Sequence, residues 1–376
     1  MSTKPAVEGV FAIDKPLNLT SAQLVNRVKN EFQKSQLFAP LADARAANAD
    51  RLRGRRRARH GQIKIGHGGT LDPNATGVLI LGVGAGTKML QDFLTGCTKT
   101  YEATILFGAA TDTYDTDGKI LEQADFAHVT REAVAKSLPS FRGKGTQRPP
   151  LYSALKMNGK RLCDYAREGL PIPRAIESRN VEVSTLEIVD WYESAEHEYK
   201  VKGGEADAES RRIADEVLCL KKQHIPMAAG RKAAADQAAH VRTKRKRSPE
   251  ADGTVMSKRP ALKQEYSDST TLMSGGLQPS NDRTVVGDSA TLKEGRGPAV
   301  TLRMTVSSGF YVRSFAHDLG EAVGSLACMC ALVRIRQGKY ELGKNTLDFK
   351  DLEQGEDVWG PQVERLMSDP KACAKH

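Results

Sequence analysis

Apolar positions along this chain switch repeatedly between strand-like runs and helix-like spacings. Gly9-Val10-Phe11-Ala12-Ile13 predicts a short apolar strand. Thr20 or Ser21 is a good N-cap, and Leu24, Val25, Val28 and Phe32 share one face of the helix it opens. Val78-Leu79-Ile80-Leu81 is continuously apolar, the form of a buried strand. Residues 82–88 read as a strand-to-helix turn leading to Met89, Leu90 and Phe93. From 99 to 108 the pattern alternates, with Tyr101, Ala103, Ile105 and Phe107 on one face. Residues 130–138 predict a short capped helix, and Val181, Val183, Leu186 and Ile188 another strand, ending near Trp191. Val300, Leu302, Met304 and Val306 alternate with Thr301, Arg303 and Thr305, a half-buried strand that turns into a helix over 307–321. Cys328 and Cys330 fall in an apolar helical pattern, and residues 332–336 read as a helix end.

From about 195 to 298 the chain changes character, and past about 225 it shows no sustained strand or helix periodicity. Ala, Ser, Gly, Lys, Glu and Asp dominate, and the segment is expected to be mostly disordered, interrupting a fold without ending it. Lys244-Arg245-Lys246-Arg247 and Lys258-Arg259 within it read as a nuclear signal or as extra RNA contacts. Residues 33–62 gather Arg45, Arg51, Arg53, Arg55, Arg56, Arg57 and Arg59, a cluster suited to phosphate contact or to a solvated basic face. A 39% apolar share in 376 residues agrees with a partly unfolded chain, and a net charge of +10 favours a polyanionic partner. Six scattered cysteines without a CxxC pair predict neither disulfide framework nor zinc site. The acidic run 111–118 lacks the terminal glutamate of a calcium loop, so no metal is expected, and Asp117-Gly118 reads as a hairpin turn. Gly86-Thr87-Lys88 reverses the order a phosphate loop needs. The first ten residues lack the apolar core of a signal peptide, and no segment has the length of a membrane span; the expectation is a soluble intracellular protein without membrane contact.

The chemistry concentrates in Gly66-His67-Gly68-Gly69-Thr70-Leu71-Asp72-Pro73-Asn74-Ala75-Thr76-Gly77. Glycines permit unusual backbone angles, and Pro73 biases Asp72 toward an extended conformation, so the carboxylate stands on a loop anchored by the strand that follows. Asp72 capping its own turn is the competing reading. Downstream, residues 147–161 combine Pro149, Pro150 and Tyr152 with Arg148, Lys156, Lys160 and Arg161, a mixture suited to RNA.

The stretch GHGGTLDPNATGVL resembles the catalytic-aspartate motif of the TruB family of tRNA pseudouridine synthases. Lys15-Pro16 with Thr20-Ser21, Lys99-Thr100-Tyr101, the 147–161 segment, Ser308-Gly309-Phe310-Tyr311-Val312-Arg313 and Leu332-Val333-Arg334-Ile335-Arg336 resemble its other motifs, in the family's order. The resemblance covers 9–31, 63–191 and 299–340. It implies a mixed α/β fold, with a twisted, largely antiparallel central sheet flanked by helices. It also implies conversion of uridine to pseudouridine at position 55 of the tRNA TΨC loop, without cofactor or metal.

Carried over residue by residue, the resemblance makes Asp72 the nucleophile, toward either the sugar carbon or the uracil ring. Arg313 pairs with it and keeps it ionised, and Tyr101 stacks on the uracil. His67 fills the space the extruded nucleotide leaves, and Leu332 lines the pocket. Lys15, Tyr311, Arg148 and Lys156 join the substrate-binding set.

The expected organisation is a catalytic domain in two parts, 1–194 (with the arginine-rich insertion 33–62) and 299–345, separated by the disordered basic insertion 195–298 and followed by a C-terminal tail, 346–376. The expected partner is tRNA, with mRNA as a further RNA substrate, acted on by a monomer with no obligate protein partner. The expected compartment is the nucleus, with mitochondrial and cytoplasmic pools beside it. Two other readings compete: a non-catalytic RNA-binding protein on the same scaffold, and a dyskerin-like subunit directed by guide RNA. Retention of Asp72, Tyr101 and Arg313 together counts against the first. The basic insertion before Gly66 and the shortness of the chain after 340 count against the second.

Overall fold

Thr20 caps the first helix as its position predicts. Its Oγ1 accepts from the Gln23 amide at 3.1 Å while the Gln23 side chain accepts from the Thr20 amide at 2.9 Å, a closed capping box. The helix Ser21–Lys34 buries Leu24, Val28 and Phe32 at helical spacing. The computed structural model describes residues 6–49, 62–194, 196–208, 210–212 and 297–368. In chain order its strands are β1 (Gly9–Lys15), β2 (Ile65–His67), β3 (Ala75–Val83), β4 (Lys99–Phe107), β5 (Ala109–Thr111), β6 (Ile120–Gln123), β7 (Gly143–Gln147), β8 (Lys156–Met157), β9 (Lys160–Arg161), β10 (Arg179–Tyr192), β11 (Ala299–Val306), β12 (Ala327–Gln337), β13 (Tyr340–Glu341) and β14 (Thr346–Leu347).

Ten strands form one sheet in the order β14-β1-β3-β12-β4-β11-β10-β7, with β2 added to β3 and β13 to β12. Its pairings are antiparallel except β1 with β14 and β3 with β12. The fold is therefore mixed α/β around a largely antiparallel sheet flanked by helices, as expected. β3 is apolar from Gly77 to Val83 because both its faces are covered there: Leu79, Leu81 and Val83 pack toward the Ser21–Lys34 helix, Val78 and Ile80 toward Leu90 and Tyr340. β4 and β11 alternate instead. Tyr101, Ala103, Ile105, Val300, Leu302 and Met304 enter one core, while Thr104 and Thr301 hydrogen-bond across the other face at 2.9 Å.

The position of β12 decides where the site lies. It inserts between β3 and β4, so Leu332 stands beside both Ala75 and Ala103, and Arg334 beside both Gly77 and Tyr101. Three segments distant in sequence thereby meet at one place in the sheet.

The structure corrects one expectation and adds detail to two others. Residues 327–337 form strand β12, not a helix or helix end. One core covers Met329 and Leu332, another covers Cys328 and Cys330, and a strand covered on both faces has no period to distinguish it from a buried helix. The start of the expected disordered insertion is ordered. Tyr199 and Val201 pack against Leu106, Ala299 and Cys328; His197 Nε2 meets the Gly297 carbonyl at 2.9 Å; and Lys119 pairs with Asp207. These anchors are single residues, too sparse to show as periodicity. Finally, the expected tail is folded through Ser368. The helices Phe349–Glu353 and Glu356–Ser368 bury Phe349, Leu352, Trp359, Val363 and Leu366 beside Phe11, Val28 and Phe32. Within the arginine-rich insertion, Ala39–Ala49 is helical and Arg45 Nε donates to the Gln62 carbonyl at 2.7 Å; Arg51, Arg53, Arg55, Arg56, Arg57 and Arg59 lie outside the described residues, as do the basic runs at 244–247 and 258–259.

Candidate active site

The loop between β2 and β3 is held from three sides, which fixes Asp72 without a helix. Ser21 Oγ donates to the Leu71 carbonyl at 3.1 Å and accepts from the Leu71 amide at 2.9 Å, so the N-cap region of the first helix brackets the residue before Asp72. The Asn18 amide and Lys15 Nζ both donate to the Pro73 carbonyl, at 2.9 and 3.3 Å. From the strand beneath, Arg334 donates to the carbonyls of Val78 (2.7 Å) and Gly69 (3.2 Å), and Gln337 Nε2 to that of Gly68 (2.7 Å). Close backbone approach explains one glycine in particular. Gly77 has φ +100° and a Cβ there would stand 2.3 Å from the Arg334 carbonyl oxygen.

Arg313 comes from the helix Val312–Ala322, whose entry is clamped by Gln147: its side chain donates to the Tyr311 carbonyl at 2.9 Å and accepts from the Tyr311 amide at 2.7 Å. The guanidinium grips Asp72 at two points, Nε to Oδ2 at 2.8 Å and Nη2 to Oδ1 at 3.2 Å. Its remaining donors reach the carbonyls of Tyr152 and Thr113, each at 2.9 Å, and Nη1 lies 3.7 Å from Asp115 Oδ2. The Asp72 side chain is 29% exposed and that of Arg313 only 9%. A buried guanidinium with both carboxylates and two carbonyls around it is electrostatically satisfied and rotationally fixed. Burial raises the Asp115 carboxyl above its usual range, with the Arg313 charge opposing and the Asp72 charge adding to the rise.

The remaining expected residues divide. Tyr101 and Leu332 are buried in one apolar cluster with Leu71 and Ala75, which line the stem of the Asp72 loop. His67 is half-buried on β2, five residues before Asp72, and burial together with the Arg334 charge lowers its imidazole below the ordinary range, against an opposing Gly69 backbone hydrogen bond. Tyr311 is half-buried two residues before Arg313. The Arg148 carbonyl accepts from Ser314 Oγ at 2.9 Å, beside the Arg313 helix. Lys156 stands apart, exposed on the small β8–β9 hairpin, whose Asn158-Gly159 turn has both φ values positive. Lys15 departs from the substrate-binding expectation. It is fully buried, its Nζ donating to the Leu19 carbonyl at 2.6 Å and the Pro16 carbonyl at 2.9 Å, so it braces the loop from within.

Asp115, Arg334, Gln337 and Gln147 are site residues that the sequence pattern does not single out. Arg334 is two residues from Leu332, hence on the same strand face, a signal hidden where 332–336 reads as a helix end. Asp115 lies in an acidic run that reads as a hairpin turn, with no local signal of an arginine partner 198 residues away.

Residues 56–205 match TruB family pseudouridylate synthase (N terminal domain). The chain is 40% identical over 351 residues to tRNA pseudouridine synthase 4 of Schizosaccharomyces pombe, covering 91% of this chain and 82% of that protein. It is 31% identical over 385 residues to tRNA pseudouridine synthase 4 of Saccharomyces cerevisiae, covering 96% and 85%. Human pseudouridylate synthase TRUB1 is 39% identical over 183 residues, 49% of this chain and 48% of its own. The sheet, the loop carboxylate and its arginine thus belong to an RNA-isomerising enzyme of the pseudouridine synthase class. The chain belongs to the TruB family.

Proposed function

We propose that this TruB-family tRNA pseudouridine synthase acts on uridine 55 in the TΨC loop, with Asp72 as its nucleophile. Isomerisation breaks the bond from uracil N1 to the ribose, turns the base, and forms a bond from C5 to the same sugar carbon. The proton leaving C5 balances the one N1 acquires, so no redox agent is consumed. Such chemistry needs a carboxylate beside a cavity that excludes water and holds the base while it turns.

The carrying observation is the two-point ion pair between Asp72 and Arg313 at the edge of the apolar cluster holding Tyr101 and Leu332. In this reading Arg313 aims the carboxylate and Tyr101 stacks on the uracil. Leu332 walls the pocket, and His67, held neutral by burial, occupies the gap the extruded nucleotide leaves. Extrusion costs a few kcal/mol, least in a loop with partly unstacked bases. Contacts from Tyr311, Arg148, Lys156 and the arginine-rich insertion offset it. The same surface suits T-loop-like hairpins in mRNA. The enzyme works as a monomer without guide RNA, chiefly in the nucleus, to which the basic runs at 244–247 and 258–259 direct it.

Asp72→Asn tests the reading. Pseudouridine formation on a uridine-containing T-loop hairpin should disappear, while the affinity for tRNA stays within about tenfold, because only the reaction uses the charge. Appreciable turnover by that variant would exclude Asp72 as nucleophile.

A further inference from the structure

Arg313 reads more than Asp72, and what it reads depends on an unusual turn. The Thr113 carbonyl and the Asp115 carboxylate both face its Nη1. Thr113 Oγ1 donates to Asp115 Oδ1 at 2.7 Å, locking the pair together. Between them stands Tyr114 with φ +62°, a left-handed conformation disfavoured for a bulky side chain. A strained residue persists only where its surroundings over-determine it. Here the backbone is pinned at both ends, Tyr114 N donating to the Thr111 carbonyl at 3.2 Å and its carbonyl accepting from Met329 N at 3.0 Å. The ring lies flat on the imidazole of His317, with centroids 4.5 Å apart and planes 10° from parallel.

His317 sits four residues after Arg313 on the helix Val312–Ala322, so both side chains project from the same face toward the same turn. Its side chain is 7% exposed, and Nε2 lies 3.3 Å from Glu321 Oε1. The groups facing this stack are Glu321 and Asp318 on the same helix, with Arg148 from the preceding segment. One helix therefore carries both the guanidinium that grips Asp72 and the imidazole that steadies the turn gripping that guanidinium.

We propose that His317 is a positioning residue for pseudouridine formation: stacked on Tyr114, it fixes the left-handed turn that presents Thr113 and Asp115 to Arg313, and so sets the angle at which Arg313 meets Asp72. The proposal rests on the Asp72-centred reading above. The influence of His317 and Tyr114 on the carboxylate passes through Arg313, which touches both the turn and Asp72.

A merely structural role would lower stability and leave the rate of the folded enzyme alone; a positioning role splits the two. Single-turnover conversion of a T-loop hairpin should be measured for wild type, His317→Ala, His317→Phe and Tyr114→Gly, at a temperature where circular dichroism shows each folded. His317→Ala should slow the step about tenfold to hundredfold, the scale set by small misplacements of catalytic groups, while the hairpin Kd stays within about twofold. His317→Phe, which keeps a flat ring on Tyr114 and discards the ring nitrogens, should recover to within about threefold of wild type. Tyr114→Gly accepts the left-handed angle but removes the ring, and it should be slowed like His317→Ala. If His317→Ala does not accumulate folded, Tyr114→Gly and His317→Phe carry the same test. Folded His317→Ala or Tyr114→Gly turning over at the wild-type rate would overturn the proposal, as would His317→Phe as slow as a ringless variant. Failure of wild type to convert the hairpin would instead overturn the functional reading, which separates the two.

Discussion

At the scale of single residues, the site is built on enforced proximity of charges. Arg313 sits between Asp72 and Asp115 with its other donors on backbone carbonyls, so it has no freedom to swing away when RNA arrives. Lys15 is also a buried cation, and it is held differently, by three carbonyls. Burial pushes its ammonium from 10.5 down to about 8, with the Asp72 charge opposing the fall. Because the folded value is the lower one, folding releases a proton between those two values. The neutral amine's contribution to stability is fully present above about 10.5, declines as pH falls toward 8, and is constant below. Urea midpoints for wild type and Lys15→Met should therefore change relative to each other between pH 8 and 10, wild type gaining stability over the variant as pH rises. Parallel curves would show that Lys15 keeps its ordinary titration.

At the scale of elements, the C-terminal helix has an outsized role for its length. Trp359 stacks on Phe32 with centroids 4.8 Å apart, Phe32 stacks on Phe38 at 4.2 Å, and Trp359 is 1% exposed. The Glu356 carboxylate accepts from the amides of Gln36 and Leu37 at 2.9 and 2.7 Å, tying the same helix to the start of the arginine-rich insertion. The first helix, Phe38 and the C-terminal helix thus share one core with Phe11 and Ile13 of β1. Trp359→Ala should cost about 3–5 kcal/mol in urea unfolding, the usual penalty for emptying so large a buried site. A loss below about 1 kcal/mol would show that the helix docks loosely.

At the scale of the whole molecule, a net charge of +10 acts on a polyanion through counterion release. The site itself contributes little to that effect, since Arg313, Arg334 and Lys15 are buried and neutralised or hydrogen-bonded internally. The salt dependence of tRNA binding should come from the basic segments elsewhere in the chain. Changing Arg51, Arg53, Arg55, Arg56, Arg57 and Arg59 together to Ser should leave Tm unchanged and flatten the log–log salt slope, by about 0.7–0.9 for each phosphate no longer neutralised. An unaltered slope would place the RNA elsewhere.

Sequence alone determined the local devices: the capping box at Thr20, the alternation of β4 and β11, the double-faced run in β3, and the loop that carries Asp72. Each leaves its mark within its own few residues, as a cap pair, an alternation, a continuous apolar run or a turn bounded by Gly and Pro, so a local reading reveals it. The ordered motifs also pair Asp72 with Arg313 without help from the fold. Tertiary structure alone decided that β12 is a strand between β3 and β4, that Arg334 and Gln337 hold the loop from beneath, that Asp115 shares Arg313, and that the last helix closes the core. Those features depend on residues separated by tens to hundreds of positions, and a strand covered on both faces leaves no periodic trace. Only the sheet order places their partners within reach.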